Sequence, residues 1–253
     1  MLRPESLLAA RERYEAGDLP AEDLRRLEDD AIRDVIALQQ DVGLQAVTDG
    51  ELRRGSWHMD FIYEIGGVER ATEAMPSTFN NEGGTILFTP TKPVVTRKLS
   101  FDHTIFADAF AFLKDNVTKG TPKLTIPSPS MVHYRGGRAA IDQDAYPDMA
   151  EFWSDLAKVY QQEIRALADL GCTYLQLDDT SLAYLNDPDQ RAAFDERGED
   201  GEHQHLTYIR TFNAALEGRP EGMTIATHMC RGNFRSSWVA QGGYDFVAEP
   251  LFN

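Results

Sequence analysis

Residues 149–180 read "MAEFWSDLAKVYQQEIRALADLGCTYLQLDDT", and this stretch decides the fold class. Phe152, Leu156, Val159, Ile164, Leu167 and Leu170 recur at helical spacing and share one face. Gly171 follows the last of them, where a helix ends. The short apolar run "CTYLQL" then reads as a strand, and it delivers Asp178 and Asp179 at its carboxyl end. Helix, short buried strand, polar strand end: such a unit belongs to a parallel sheet covered by helices.

The same grammar recurs on both sides. Upstream, Leu24, Leu27, Ala31, Val35, Leu38 and Val42 mark a helix between Pro20 and Gly43, and "LQAVT" leads from it into Asp49, Gly50 and Glu51. Downstream, a helix in "HLTYIRTFNAALEG" precedes the strand "MTIAT", which ends at His228. A fourth unit is expected from a short helix in "SSWVAQGG" and a strand "YDFVA" ending at Glu249. Residues 55–122 interrupt the rhythm with Gly/Pro/Thr-rich, extended sequence and an amphipathic "TIFADAFAFLKDNV". Residues 186–205 are strongly polar and read as a surface excursion. The expectation is one α/β domain over 1–253, an α/β barrel or a large open sheet, with its chemistry at the carboxyl ends of the strands.

Composition excludes several classes. The formal charge is −16 over 253 residues and is spread along the chain, which argues against nucleic acid as a partner. No run of about 18 apolar residues exists to cross a membrane, and the N-terminus lacks an apolar signal core, so a cytoplasmic location is expected. Two cysteines make a structural disulfide improbable there. The pairs Arg53/Arg54, Arg135/Arg138 and Arg231/Arg235 either mark an anion's landing place or are solvated surface cations.

His228 and Cys230 stand at alternate positions, so in extended backbone both point to one face. Imidazole with thiolate is a zinc-type pair, although a satisfied histidine beside a buried cysteine is an equal reading. Glu249, at the end of the next expected strand, would add an oxygen ligand. Asp178 and Glu51 lie where a barrel gathers ligands, and Asp179 reads either as a helix N-cap or as a functional carboxylate.

Five ordered motifs, "VTDGELRRGSWHMDF", "KLTIPSPSMVHY", "YLQLDDTSL", "THMCRGNF" and "GGYDFVAEPLFN", together resemble the catalytic barrel of cobalamin-independent methionine synthases, most closely its short single-barrel relatives. The resemblance implies a TIM-type (β/α)8 barrel that is incomplete, lacking the first strand and the last two. It implies transfer of a methyl group from 5-methyltetrahydrofolate, or its polyglutamate, to the thiol of homocysteine, giving methionine. It makes His228, Cys230 and Glu249 zinc ligands, with a fourth, a late cysteine, beyond Asn253. It makes Asp178 the holder of the substrate amine, Glu51 a catalytic and substrate-binding neighbour, and His133 or Tyr134 the counterpart of the pterin-stacking aromatic. On this reading the partners are small molecules, metal affinity is weak, turnover is low, and unclosed barrel edges invite self-association. Three other readings stand beside it: a related zinc-dependent thiol-activating transferase or lyase using another thiol or a corrinoid methyl donor, a metal-free decarboxylase-like barrel, and an inactive fragment.

Overall fold

The computed structural model describes residues 3–74, 77–88 and 91–253. The chain opens with helices α1 (Glu5–Glu15) and α2 (Ala21–Asp41), followed by the two-residue strand β1 (Ala46–Val47) and a short helix α3 (Met59–Ile62). Strands β2 (Gly66–Ala74), β3 (Ser77–Asn81), β4 (Gly84–Phe88) and β5 (Thr91–Ser100) come next, then α4 (Ala107–Asn116). Strands β6 (Thr121–Pro122) and β7 (Leu124–Pro127) lead through α5 (Ser130–Tyr134) into the long helix α6 (Met149–Asp169) and strand β8 (Tyr174–Asp178). Helices α7 (Thr180–Tyr184), α8 (Pro188–Glu196) and α9 (Gln204–Ala215), strand β9 (Thr224–His228) and α10 (Asp245–Phe252) complete it.

The α/β class expected from residues 149–180 is what forms. Strands β7, β8 and β9 pair in parallel, in chain order, with Pro127, Asp178 and His228 level at their carboxyl ends. Strand β1 pairs in parallel with β6, directly before β7, and the Lys123 amide donates to the Val47 carbonyl at 2.8 Å. Residues 121–127 therefore bridge two parallel ladders, one to β1 and one to β8. Consecutive parallel pairing through helical crossovers is the arrangement that short αβ loops and right-handed connections produce. Among the described residues these ladders do not close into a ring.

Helix α6 buries the stripe read from sequence: Phe152, Leu156, Ile164 and Leu167 are each at most 1% exposed. Its Asp148 N-cap accepts from the Ala150 amide. Helix α2 differs from its sequence reading. Its buried residues are Glu28, Ile32 and Ile36, whereas Leu27, Leu38 and Val42 are exposed. Leu24, Ala31 and Val35 of the expected stripe still pack at the edge of the core, Ile32 and Ile36 fill its centre, and Glu28 is accommodated there by Arg11 of α1 at 2.7 Å and Arg53 at 3.5 Å.

The interruption at 55–122 is an antiparallel insertion. Strand β2 pairs with β5, and β3 with β4 as a hairpin turning at Glu82 and Gly83. The amphipathic segment after it is α4, burying Phe110 and Leu113. Residues 186–205 are more ordered than their polarity suggests. Asp187 caps α8, Pro188 occupies its first turn, and Phe194 is 2% exposed in an apolar cluster with Tyr134, Leu185 and Tyr208.

The fourth helix–strand unit does not form. Residues 236–243 are irregular, and "DFVA" opens the helix α10 with Tyr244 as its N-cap. A five-residue apolar run becomes a strand only where a neighbour offers a ladder, and among the described residues β9 pairs with β8 alone. The run instead satisfies its amides internally: those of Val247 and Ala248 donate to the Tyr244 carbonyl.

Glu163 of α6 lies in the core at 0% exposure, its Oε2 accepting from the Ile105 amide while Oε1 has no partner among the described residues. Burial pushes its carboxyl up to about 8. A carboxyl raised on folding binds its proton more tightly in the native state, so stability falls as pH rises from about 4.5 to about 8. Glu163→Gln is thus expected to unfold with wild type near pH 4.5 and to be more stable by over ~1 kcal/mol at pH 8. Thermal unfolding of both proteins across that range checks it, and parallel curves would refute it.

Candidate functional site

The carboxyl ends of β1, β8 and β9 open onto one cleft of about 460 Å³. From the sequence-predicted set it receives Glu51, Asp178, His228 and Cys230. The fold explains each. Asp178 ends β8, and the register sets it opposite His228, the last residue of β9. Cys230 follows two positions on, in a turn where the Gly232 amide meets its Sγ at 3.4 Å. Gly232 has φ +70°, and a Cβ there would lie 2.1 Å from the Tyr184 hydroxyl, so only glycine fits this approach.

Glu51 reaches the cleft through a tight turn after β1. Gly50 has φ +63° and Glu51 φ +54°, uncommon for a side chain with a Cβ. The turn is held by the Asp49 carboxylate, which accepts from the Glu51 amide at 2.9 Å. Arg54 lies 3.7 Å from the Glu51 carboxylate and is itself tied to the Trp57 and Thr125 carbonyls.

Burial raises the carboxyl pKa of Glu51, Arg54 opposing it and Asp178 adding to it. Burial also raises that of Asp178, against a 2.6 Å hydrogen bond from the Gln176 amide and the influence of His228. Two carboxyl groups raised chiefly by burial, Glu51 also by Asp178, form a pole suited to a cation. An ammonium group would relieve both.

Asp179 has the other role considered for it. At 1% exposure it accepts from the Leu182 amide and the Ser181 hydroxyl with Oδ1, and from the hydroxyls of Ser128 and Ser130 with Oδ2. It caps α7 and ties β7 to β8, leaving the cleft to Asp178.

Three expected site residues are not brought to the cleft. His133 is 2% exposed in the packing of α5 against α6 and α9, bonded to the Tyr208 hydroxyl at 2.9 Å and 3.3 Å from Glu199. Tyr134 is buried against Tyr184 and Phe194, with its hydroxyl donating to Gln190. Helix α5 has too few residues to turn both rings toward the strand ends, and apolar neighbours capture them. Glu249 is exposed within α10 rather than at a strand end.

The zinc reading meets the same limit. His228 and Cys230 are donors of the type zinc takes, but Glu249 does not join them. Among the described residues no group of three or more His, Cys, Asp or Glu side chains is set to hold a metal ion. The residues as arranged do not fit a zinc site.

The cleft also contains residues that the sequence did not single out: Trp57, His58, Phe79, Tyr184 and Phe234. Phe79 and Phe234 pack with ring centroids 5.3 Å apart and planes tilted by 48°. Of the arginine pairs, Arg135 alone contributes to this lining. Arg53 pairs with Asp29, and Arg138 donates to the Ile141 and Tyr146 carbonyls. Trp57 and His58 directly follow the "DGELRRGS" segment that carries Glu51, and that adjacency was the available signal.

No family model matches the sequence. Among curated proteins, YxjH of Bacillus subtilis, named as an uncharacterized protein, is 40% identical over 257 residues, covering 100% of this chain and 65% of its own length. The methionine synthase of Pyrococcus abyssi is 27% identical over 234 residues, 92% of this chain and 60% of the relative. Among solved structures, a candidate vitamin-B12 independent methionine synthase from Listeria monocytogenes superposes with TM-score 0.77 at 36% identity, over 100% of this chain and 66% of that one. The chain belongs to the cobalamin-independent methionine synthase-like family. It spans about two thirds of the length of such relatives, 65% of YxjH. Within this family the cleft at the ends of β1, β8 and β9 is the candidate active site.

Proposed function

We propose that the chain carries the thiol-binding part of a methyltransferase that makes methionine, with homocysteine as acceptor and 5-methyltetrahydrofolate as methyl donor. One observation carries this reading: Glu51, Asp178, His228 and Cys230, from three separate strand ends, line the same cleft. Glu51 and Asp178 hold the amino group of the amino-acid thiol. That grip fixes the position of the sulfur, and a positioned nucleophile gains rate that a free encounter lacks. The aromatic wall of Trp57, Phe79 and Phe234 offers flat surfaces for the heteroaromatic ring of the donor.

Because the residues as arranged do not fit a zinc site, no step is assigned to a metal. The Glu249 carboxylate lies outside the group.

The test is direct. Calorimetric titration with L-homocysteine is expected to show saturable binding, and supplying 5-methyltetrahydrofolate with a labelled methyl group is expected to yield labelled methionine. Label arriving only from methylcobalamin would reassign the donor. Neither binding nor transfer would overturn the proposal.

A further inference from the structure

Among the described residues, His58 lines the cleft with a buried ring nitrogen whose hydrogen-bonding request is unanswered. It is 6% exposed, lies in the cleft wall, and its Nε2 has no hydrogen-bond partner among the described residues. The turn that carries it is firmly built: Asp60 accepts from the Gly55 and Ser56 amides at 2.7 and 3.1 Å, and the His58 ring packs on Trp57 at 4.2 Å.

We assign the tautomer from Ser56. Its Oγ accepts from the Met59 amide at 3.3 Å, and its hydroxyl proton is assigned to His58 Nδ1, also at 3.3 Å. Nδ1 is then the acceptor, and Nε2 carries the ring proton. Burial, with Arg135 adding to it, holds the imidazole well below its usual pKa, so the ring stays neutral. A buried N–H without an acceptor is costly, and a ligand oxygen that fills the gap recovers that cost. The nearby guanidinium favours an acceptor that carries negative charge.

We propose that the Nε2–H of His58 is a substrate-binding donor that, beside Arg135, takes a carboxylate oxygen of the ligand. It stands in the same cleft as the acidic pair Glu51 and Asp178. The cleft is therefore polar in two senses, with carboxylates for an ammonium group and an N–H with a guanidinium for a carboxylate. This deepens the reading under Proposed function and rests on it for the identity of the ligand. The carboxylate belongs either to the amino-acid thiol or to the glutamyl tail of the donor.

The experiment follows the His58 ring resonances by proton–nitrogen NMR while sodium butyrate, a bare carboxylate, is titrated into the full chain. A saturable shift of Nε2 is expected, and its absence overturns the proposal. His58→Phe keeps the ring volume without the donor, whereas His58→Gln returns an N–H near the Nε2 position. The Phe variant is expected to bind the true carboxylate ligand about tenfold more weakly, and the Gln variant to recover most of that loss. Source is resolved by pairs: L-homocysteine against 3-aminopropane-1-thiol, and 5-methyltetrahydrofolate against the tetrahydropterin without its glutamyl tail. Weakening confined to the carboxylate-bearing member of one pair supports the proposal and names the source. Equal weakening of both members, or of neither pair, refutes it. A butyrate shift without binding of homocysteine or folate would sink the proposed function while leaving the His58 contact standing.

Discussion

Asp178→Asn is expected to weaken binding of an amino-acid thiol by roughly 30- to 4,000-fold while leaving the fold at least as stable. The binding loss follows from truncating one partner of a largely desolvated charge pair, which costs about 2–5 kcal/mol. The stability follows from the opposite sign of the same desolvation. Burial already raises the Asp178 carboxyl, and Glu51 in the same cleft is raised partly by it. In the absence of substrate the ionised group is thus a cost to the folded state above its unfolded pKa, and asparagine removes that cost. The 2.6 Å contact with the Gln176 amide can be kept by the asparagine carbonyl. The pH dependence has a definite direction. The ammonium needs the carboxylates ionised, so wild-type affinity should fall on acidification sooner than for an ordinary surface carboxylate pair. Calorimetric titration with L-homocysteine from pH 8 downward, beside thermal unfolding of both proteins, measures each part. Unchanged affinity in the variant would remove Asp178 from the site.

The helix–strand units that place Asp178 and His228 were legible because their apolar residues repeat over enough turns to define a period. Phe152 to Leu167 show this best, since that stripe is buried as read. Legibility fails where the deciding partner is distant in sequence. "YDFVA" has the composition of a strand, but only a neighbouring ladder could make it one, and it helps build α10 instead. The same holds for α2, where Ile32 and Ile36 centre the inward face and the distant Arg11 lets Glu28 join it. Within the site, Glu51, Asp178 and His228 were readable from their positions after apolar runs. His133 was misplaced because a five-residue helix gives no period from which to deduce a face. His58 was passed over because a histidine between tryptophan and methionine looks like ordinary core, and its orphaned nitrogen exists only in three dimensions.

Asp179, the next residue, should behave in the opposite way to Asp178. Asp179→Ala is expected to lower stability by about 3–5 kcal/mol, which for a chain of this size corresponds to roughly 6–20 °C in thermal midpoint. Four donors converge on its carboxyl group: the hydroxyls of Ser128, Ser130 and Ser181 and the Leu182 amide, at 2.6 to 2.9 Å. Ser128, Ser130, Ser181 and Asp179 are each at most 1% exposed, so water cannot replace the lost acceptor without opening the structure. Asp179→Asn should lose less, about 1–2 kcal/mol, because its carbonyl still caps α7 while its amide must face the two serines on β7's side. The consequence for binding is indirect but specific. Asp179 receives Ser128 and Ser130 where its own amide donates to the His228 carbonyl at 2.8 Å, so it fixes the level at which the ends of β7, β8 and β9 meet. Thermal unfolding of the alanine and asparagine variants, with titration of L-homocysteine into the folded asparagine protein, separates the two neighbours. Asp179→Ala within about 1 kcal/mol of wild type would show that the seam between these strands is held by something other than this carboxyl group.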